Sequence, residues 1–429
     1  MSGRTWNVGV AGLGVVGGGL LKWLAERPGF APGGDHVRVT GISARDRSKA
    51  RGADLGGATW FDDPLALARS PEIDLFVELI GGSEGVAREA VTAALAAGKP
   101  VVTANKALVA VHGLELARLA ESTGASLHFE AAVMGGTPAV KIMREGLVGD
   151  DVVSIAGILN GTCNFILTEM ERTERAFATV LKEAQRLGYA EADPTTDVGG
   201  FDAAHKIVVL AALAFGGAPN FAAAEITGID KVELIDIHLA RDLGYRIKLI
   251  AEARGGRQGA SVRVAPALVP LNHPLAQAGG ALNALFIEGD RVGRLYVQGA
   301  GAGSGPTAAA VAADIADVIS GGRRPVFGQP AEKLTLLPAL EGAAKLDKAF
   351  IRVMVRDEPG VIAAISEALA KAGVSIDSFL QRSVEDSGHV PIVLITHPAS
   401  DIAIADAVAH IGAVPALVEP PRVIRVARI

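Results

Sequence analysis

The sequence predicts an α/β protein whose first part is a doubly wound parallel sheet. Short apolar runs, typical of buried strands, occur at residues 6–11, 37–42, 75–79, 100–103 and 126–130. Helical patterns lie between most of these runs, notably at residues 15–26, 86–97 and 113–122. Strands that alternate with helices in short units form parallel sheets covered by helices. Residues 1–130 are therefore expected to form this first domain.

The pattern changes after the first domain. Longer helices are predicted at residues 177–187 and 202–215, so residues 131–299 predict a second domain of α+β type. A further helix is predicted at residues 307–320, after a glycine loop. We expect the segment from about 300 to 345 to return to the first domain and complete it.

The last part of the chain, residues 349–429, predicts a separate unit. Strand, helix, strand, strand, helix and strand are expected in turn at residues 350–355, 360–372, 375–381, 390–396, 402–410 and 421–426. This βαββαβ order is a ferredoxin-like arrangement.

Composition excludes several classes of function. A chain of 429 residues is expected to form two or three domains. The net charge of −6 gives no electrostatic case for binding nucleic acid. Cys163 is the one cysteine, so no intrachain disulfide forms and a reducing compartment is expected. The apolar start at residues 8–21 has a glycine pattern unlike a signal peptide, and residues 207–219 are too short to span a bilayer. A cytoplasmic location and no membrane partner follow as expectations.

A glycine-rich turn comes directly after the first predicted strand and opens the first helix. Its residues are Gly12, Leu13, Gly14, Val15, Val16 and Gly17. The first glycine permits a tight turn, the second lets backbone approach a pyrophosphate, and the third permits close helix packing. A plain glycine turn is the alternative, but the strand-to-helix context favours a Rossmann-like dinucleotide site.

The end of the second predicted strand bears on the choice of cofactor. An acidic residue there would bind the adenosine ribose, whereas an arginine would bind a 2′-phosphate. Arg45, with Arg47 and Lys49 nearby, favours NADP, while Asp46 leaves NAD open.

Two lysines carry the chemistry that the sequence predicts. Lys206 ends a block from residue 188 that holds four carboxylates within twelve residues. Asp202 and Lys206 are four apart, so on a helix they project from one face as an ion pair. A lysine beside carboxylates and partly out of water can donate a proton to a reacting oxygen. Lys106 follows another predicted strand, and together with a dinucleotide cofactor these residues predict a carbonyl reductase.

Three further polar turns each admit two interpretations. Residues 130–138 could turn carbonyls and one carboxylate around a hard cation, or form a tight crossover between domains. Residues 157–164 could surround a small polar substrate, or be a structural turn. Residues 299–307 could bring backbone near the nicotinamide, act as a hinge, or do both. Cys163 fits a buried core residue better than a thiol nucleophile, and the nine histidines lack zinc-ligand spacing.

Taken together, the motifs resemble the homoserine dehydrogenase family, in its monofunctional form with a C-terminal regulatory domain. The resemblance covers essentially the whole chain. It is carried in order by GLGVVG (12–17), VVTANKAL (101–108), EAAVMGGTP (130–138), GILNGTCN (157–164), GYAEADPTTDVGGFDAAHK (188–206) and GAGAGSGPT (299–307).

The resemblance implies reversible, NAD(P)-dependent reduction of L-aspartate 4-semialdehyde to L-homoserine, in threonine, methionine and isoleucine biosynthesis. It also implies that residues 131–299 bind substrate and form a homodimer or homotetramer. The residues it implicates are the proton donor Lys206, the bridging Lys106 and the orienting Asp202, the substrate ligands Glu191, Asp197, Asp202 and Thr162, and the cofactor-side residues Thr103, Lys106 and Gly303.

The same resemblance implies a bound monovalent cation, sodium-like, at the 130–138 turn. Its ligands would be Glu130 and the carbonyls of Val133, Gly135 and Thr137. Met134 departs from the small residue that the family pattern has in this turn.

The segment Asp357-Glu358-Pro359-Gly360-Val361 lies between a predicted strand and helix of the C-terminal unit. It resembles an ACT amino-acid-sensing domain, which implies feedback inhibition by threonine. The alternative is an assembly module without a ligand.

Two other functions remain open from the residues alone. A phosphorylating semialdehyde dehydrogenase would share the cofactor domain but needs a thiol, and a non-catalytic sensor would need only the C-terminal unit. The carboxylate-lysine block favours the reductase over the sensor, and replacing Cys163 with serine distinguishes the reductase from the phosphorylating enzyme.

Overall fold

The computed structural model describes residues 3–27, 29–49, 55, 57–340, 346–382 and 389–429. Its N-terminal part consists of β1 (Thr5–Ala11), α1 (Val15–Glu26), β2 (His36–Ser43), β3 (Thr59–Phe61), α2 (Pro64–Arg69), β4 (Leu75–Glu78), α3 (Val86–Ala96), β5 (Val101–Thr103), α4 (Lys106–Thr123) and β6 (Leu127–His128). The strands form a six-stranded sheet in the order β3-β2-β1-β4-β5-β6, and every neighbouring pair is parallel. This is the doubly wound parallel sheet that the sequence predicts.

The middle of the chain forms an α+β layer. Its elements are α5 (Ala139–Lys141), β7 (Val152–Ile158), α6 (Gly161–Thr173), α7 (Phe177–Arg186), α8 (Thr195–Val198), α9 (Phe201–Phe215), β8 (Glu225–Ile226), α10 (Leu234–Asp242), β9 (Tyr245–Gly256), β10 (Gly259–Pro270), α11 (Pro274–Gln277), β11 (Leu282–Gly289), β12 (Gly293–Ala300) and α12 (Ser304–Ile319). A π-helical turn, Ile142–Gly146, follows α5, and 3₁₀ turns lie at Pro32–Gly34, Glu130–Ala132 and Phe221–Ala223.

The C-terminal unit has the predicted βαββαβ order. Its elements are β13 (Ala349–Arg356), α13 (Val361–Lys371), β14 (Ile376–Gln381), β15 (His389–Thr396), α14 (Asp401–Gly412) and β16 (Arg422–Val426). Their strands pair antiparallel in the order β16-β13-β15-β14, with both helices packed against a common apolar core.

The C-terminal unit is less separate than the sequence suggests. β16 pairs in parallel with β10 at Ala267–Arg425 and Leu268–Val426, so both units share one ten-stranded sheet. Its path runs β12-β11-β7-β9-β10-β16-β13-β15-β14, with β8 added beside β10. The pairing covers two residues on each strand, and no local sequence pattern signals so short a contact.

Two packing contacts bring distant segments of the chain together at the first sheet. β1 and β4 lie side by side with buried Val8, Val10, Leu75 and Val77, so the turns after them meet at one edge of the sheet. α12 packs with α1 in the same apolar cluster as buried residues of β1 and β4. The domain limits predicted at residues 130 and 349 stay predictions.

Element lengths differ from expectation where local signals are weak. α4 begins at Lys106, earlier than predicted, because the Asn105 side chain caps it by accepting the Leu108 N–H at 3.1 Å. The strand expected at residues 126–130 is shorter, because a 3₁₀ turn starts at Glu130. Among the described helices, none has the length and apolarity needed to cross a membrane.

Candidate active site

A cleft of about 650 Å³ opens between the six-stranded sheet and the α+β layer. Six separated segments line it: the start of α1, the start of α4, the 131–135 turn, the α6–α9 region, the start of β11, and the loop before α12. Its walls are formed by Val15, Val16, Ala104, Lys106, Ala131, Ala132, Gly135, Asn160, Gly161, Thr162, Gly188, Tyr189, Asp197, Asp202, Lys206, Ala281, Leu282, Asn283, Ala300, Gly301, Ala302, Gly303 and Thr307. A cleft outside the carboxyl ends of parallel strands is where such sheets bind ligands.

A buried carboxylate, Asp202, is the centre of the polar cluster in this cleft. Lys206 Nζ lies 2.8 Å from Asp202 Oδ2, which is the predicted i, i+4 pair. Lys106 Nζ lies 2.8 Å from the other oxygen, Oδ1. The amide of Asn160 also donates to Oδ2, at 2.9 Å. The two lysines that the sequence singles out therefore share one carboxylate.

Local structure explains how a charged pair becomes buried here. Gly200 adopts a left-handed conformation (φ 86°) and starts α9, which places Asp202 in the first helical turn. The rest of α9 is almost wholly apolar and buried, so the helix carries Lys206 into the interior with it. The Lys206 ammonium also donates to the Leu159 carbonyl at 2.7 Å. The buried charge is thus both paired and hydrogen-bonded.

The two lysines differ in their electrostatics. The negative charge of Asp202 raises the pKa of Lys106, whose side chain is 40% exposed. Burial lowers the pKa of Lys206, and the nearby charge of Lys106 lowers it further. Burial opposes ionisation of Asp202, but the two ammonium groups outweigh it and hold the Asp202 pKa well below its usual range. Lys206 is therefore the amine whose proton is easier to release.

Asn160 is a residue of the site to which the sequence analysis assigned no role of its own. Its carbonyl oxygen accepts the Cys163 N–H at 2.7 Å and so caps α6. Its amide nitrogen donates to Asp197 at 2.7 Å as well as to Asp202. The signal available in the sequence was an asparagine before a helix, which indicates a cap but not a second partner.

The predicted substrate ligands lie at different depths. Asp197 lines the cleft, and burial, followed by the charge of Asp202, raises its pKa. Thr162 lines it too, and its hydroxyl donates to the Tyr189 carbonyl at 2.7 Å. Glu191 is exposed and lies outside the lining residues, although its charge contributes to raising the pKa of Lys106. The structure thus brings two of the three carboxylates, Asp197 and Asp202, into contact with Asn160.

The glycine turn has the shape of a phosphate cradle. Gly12 has a positive φ of 96°, and a Cβ there would lie 2.4 Å from the Leu79 carbonyl group. A Cβ on Gly17 would lie 2.1 Å from the Gly12 oxygen, so this glycine permits close packing. Gly14 stands at the start of α1 and faces open space, since a Cβ there would have no other atom within 4 Å. These residues fit a dinucleotide, whose pyrophosphate would meet the free amides of α1.

The other predicted cofactor-side residues are placed around that cradle. Arg45 is exposed two residues beyond the end of β2, whose Ser43 carbonyl accepts the Gly12 N–H at 2.9 Å. Gly303 is the N-cap of α12 and lines the cleft, as Val15 and Val16 do. Thr103 lies beneath the cleft, where its hydroxyl donates to buried Glu78 at 2.5 Å.

The predicted cation turn is tightly folded. The Glu130 carboxylate accepts the N–H groups of Val140 and Lys141, at 3.0 and 2.8 Å, and burial raises its pKa. Met134 has a positive φ of 56°, a left-handed backbone conformation that glycine adopts more readily than methionine. The Thr137 carbonyl accepts the Ala139 N–H at 2.7 Å.

Within the described ranges, one group of three side chains has metal-ligand spacing: His128, Asp314 and Asp317. Lys141 Nζ lies 2.6 Å from Asp317 and 3.9 Å from Asp314, so an ammonium already supplies positive charge there. Burial, together with the charges of Arg144 and Lys141, lowers the pKa of His128 to about 4. The group is best described as an ion-paired cluster.

The parallel sheet carries a glycine cradle, and the adjoining cleft holds two lysines paired with one carboxylate. These features define an oxidoreductase with a dinucleotide-binding domain. Residues 12–130 match the NAD-binding domain of homoserine dehydrogenase, residues 138–316 match homoserine dehydrogenase itself, and residues 349–415 match the ACT domain. The chain belongs to the homoserine dehydrogenase family, as the sequence motifs suggested.

Individual relatives agree with this assignment. The homoserine dehydrogenase of Neisseria gonorrhoeae is 43% identical over 430 residues, covering 98% of each chain. A crystal structure of a homoserine dehydrogenase from Thiobacillus denitrificans has a TM-score of 0.91 and 42% identity, covering 100% of this chain and 99% of that one. A hyperthermophilic archaeal homoserine dehydrogenase, in complex with NADPH, has a TM-score of 0.65 and 27% identity, covering 75% of this chain and 100% of that one.

Proposed function

We propose that this homoserine dehydrogenase interconverts L-aspartate 4-semialdehyde and L-homoserine with Lys206 as the proton donor and acceptor. The observation that carries the assignment is the ion-paired Lys206–Asp202–Lys106 cluster, in the cleft that Val15 and Val16 also line. When bound, the nicotinamide supplies or accepts the hydride. Everything else in the step is done by the chain's own residues.

In the direction of reduction, Lys206 gives its proton to the carbonyl oxygen of the aldehyde and becomes a neutral amine. Burial lowers the pKa of Lys206, which favours this transfer. In the direction of oxidation, the neutral amine takes the proton from the hydroxyl of homoserine. Lys106 keeps its charge, because Asp202 raises its pKa, and it stabilises negative charge on the same oxygen.

The substrate's amino-acid end needs partners of its own. Its α-ammonium group is positive. The carboxylate of Asp197 lines the cleft, and that of Glu191 lies outside the lining residues, between α7 and α8. Thr162, at the start of α6, also lines the cleft, and its hydroxyl donates to the Tyr189 carbonyl. We assign these three residues, together with Asp202, to substrate binding.

The rival function of a phosphorylating dehydrogenase is disfavoured by the one cysteine. Cys163 is fully buried, and burial raises the pKa of its thiol well above the usual value. Its sulfur lies 3.1 Å from the Asp197 carbonyl, to which it donates. A thiol held neutral inside the protein is a poor nucleophile.

We propose NADP as the preferred cofactor. Asp46, the residue that would favour NAD, uses its Oδ1 to accept both the N–H and the hydroxyl of Ser48, at 2.9 and 2.7 Å.

Replacing Arg45 with alanine is expected to lower kcat/KM for NADP by about 10-fold, the worth of one charge-assisted hydrogen bond, and to leave kcat/KM for NAD unchanged. Arg47→Ala is the control, because its guanidinium lies over the Trp60 ring at 5.7 Å. Equal losses with both cofactors would contradict this role.

We also propose that Glu130 and the carbonyls of Val133, Gly135 and Thr137 hold a monovalent cation. Glu130 and Asp314 are buried together, and burial, with the charge of Glu130, raises the pKa of Asp314 to about 7. A cation would offset this concentration of negative charge.

The unfolding temperature is expected to rise in sodium chloride relative to choline chloride at the same ionic strength, since a ligand that binds only the folded state stabilises it. Glu130→Gln should remove the difference. The same unfolding temperature in both salts would argue against a bound cation.

We propose that threonine binds the C-terminal unit and inhibits the enzyme. A cleft of about 500 Å³ there is lined by residues 355–363 together with Gln381, Val390 and Ile392. Gly360 has a positive φ of 92° at the start of α13, so alanine would strain this loop.

Threonine is expected to lower the rate of homoserine oxidation, and Gly360→Ala to weaken that inhibition. Gly373→Ala is the matched control, because Gly373 also has a positive φ (66°), at the other end of α13. Absence of inhibition by threonine or any other amino acid of the pathway would contradict a regulatory role. The homo-oligomeric state and the cytoplasmic location expected from the sequence stay predictions.

A further inference from the structure

A buried arginine of the C-terminal unit reaches across to the start of α10. Arg352, on β13, is 4% exposed, and its guanidinium contacts three carboxylates. Its nitrogens lie 2.6 Å from Glu233, 2.8 Å from Asp236 and 3.0 Å from Glu419. Two of these partners belong to the substrate domain.

The two partners define the beginning of α10. Glu233 is its N-cap, and the Glu233 N–H donates to the Asp236 side chain at 3.0 Å. Asp236 is completely buried, which raises its pKa, while the charge of Arg352 opposes that rise. A buried carboxylate of this kind depends on its partner, because an uncompensated charge inside a protein is strongly unfavourable.

The chain just before α10 packs on the turn that carries the substrate carboxylates. The Ile229 N–H donates to the Val198 carbonyl at 2.8 Å, and Ile229 is completely buried. A Cβ on Gly228 would lie 2.3 Å from the same Val198 oxygen and 2.8 Å from Gly199. The backbones are thus in direct contact, one residue after Asp197.

The turn at 197–202 is therefore held from both sides. Asn160 binds Asp197 and Asp202 from within the cleft, at 2.7 and 2.9 Å. Residues 227–229 hold its outer side, and α10 follows them in the chain. Displacement of α10 would be passed to these two carboxylates through backbone contacts.

We propose that Arg352 is a positioning residue for the substrate site, through which the C-terminal unit sets the placement of Asp197 and Asp202. β13 also leads from Arg352 into the loop that lines the cleft of the C-terminal unit, so an occupant of that cleft contacts the strand that holds α10. The coupling rests on the proposed role of Asp197 in substrate binding.

The test is the homoserine oxidation assay on the full-length enzyme. Arg352→Met is expected to raise KM for homoserine by about 10-fold, since small displacements of binding groups have large effects. KM for NADP should stay within about twofold, because the glycine cradle belongs to the other domain. Lys348→Met is the matched control: it removes an ion pair with Asp377 (2.8 Å) that lies wholly inside the C-terminal unit.

A double variant keeps the test decisive where Arg352→Met folds poorly. Asp236→Asn combined with Arg352→Met removes the buried charge together with its partner. Its KM for homoserine should return to within about threefold of that of the unaltered enzyme, because the effects of substituting two residues of one ion pair are not additive.

Three results would overturn the proposal. The first is an unchanged KM for homoserine in soluble Arg352→Met, and the second is an equal rise in KM for homoserine and KM for NADP. The third is a double variant whose KM for homoserine is as high as that of the single variant. Asp197→Asn distinguishes failure of the proposed coupling from failure of the proposed substrate-binding role of Asp197. If it raises KM for homoserine and Arg352→Met does not, only the coupling fails; if it has no effect, the proposed substrate role fails with it.

Discussion

Replacing Lys206 with methionine is expected to lower kcat in both directions by about 100-fold to 10,000-fold, the range typical of a lost general acid. Methionine keeps the length and apolar part of the side chain but removes Nζ, which lies 2.8 Å from Asp202 and 2.7 Å from the Leu159 carbonyl. The developing alkoxide then loses its proton donor. The measurement is the steady-state rate of NADP reduction with homoserine and of NADPH oxidation with the semialdehyde.

Lys99→Met is a suitable control for this substitution. Lys99 is also partly buried and donates to backbone carbonyls, those of Ala68 (2.9 Å) and Ser70, but it belongs to the N-terminal domain away from the cleft. Its kcat should stay within about twofold. Near-normal turnover in Lys206→Met would remove this lysine from the mechanism.

Replacing Asp202 with asparagine is expected to affect both stability and pH dependence. Asp202 is 4% exposed and pairs with two ammonium groups, so losing its charge should cost about 3 kcal/mol of folding free energy. Asp202 raises the pKa of Lys206, so without it that pKa falls further. Oxidation of homoserine needs the neutral amine, and the rising limb of its pH profile should therefore move to lower pH. Reduction needs the ammonium form and should become slower near neutral pH.

Thermal unfolding and pH-rate profiles in both directions measure these two effects. Asp193→Asn is the matched control, because Asp193 lies in the same acidic block but is exposed and accepts from Thr195 at 2.6 Å. That change should alter the folding free energy by less than about 0.5 kcal/mol. Unshifted pH profiles in Asp202→Asn would separate Asp202 from the proton transfer.

Local patterns were enough to predict much of the fold and part of the site. The glycine turn at 12–17 lies between β1 and α1, as predicted. It could be predicted because its pattern lies in six consecutive residues. The Asp202–Lys206 ion pair could be predicted, because helical periodicity alone places residues four apart on one face. The βαββαβ order of the C-terminal unit likewise follows from alternating local signals.

Contacts between distant segments could not be predicted in the same way. The pairing of Lys106 with Asp202 joins the start of α4 to the start of α9, and neither segment carries a signal for the other. The hydrogen bonds from Asn160 to Asp197 and Asp202 exist only because α8 and α9 fold against it.

The sequence by itself indicated the family, the order of elements and the two lysines of the candidate site, since each depends on residues close together in the chain. The tertiary structure decided which lysine is buried, that both share one carboxylate, and that β16 joins β10 so that the C-terminal unit touches α10. Burial and charge separation depend on how distant segments pack. Those quantities set the proton affinity of Lys206, and no local pattern contains them.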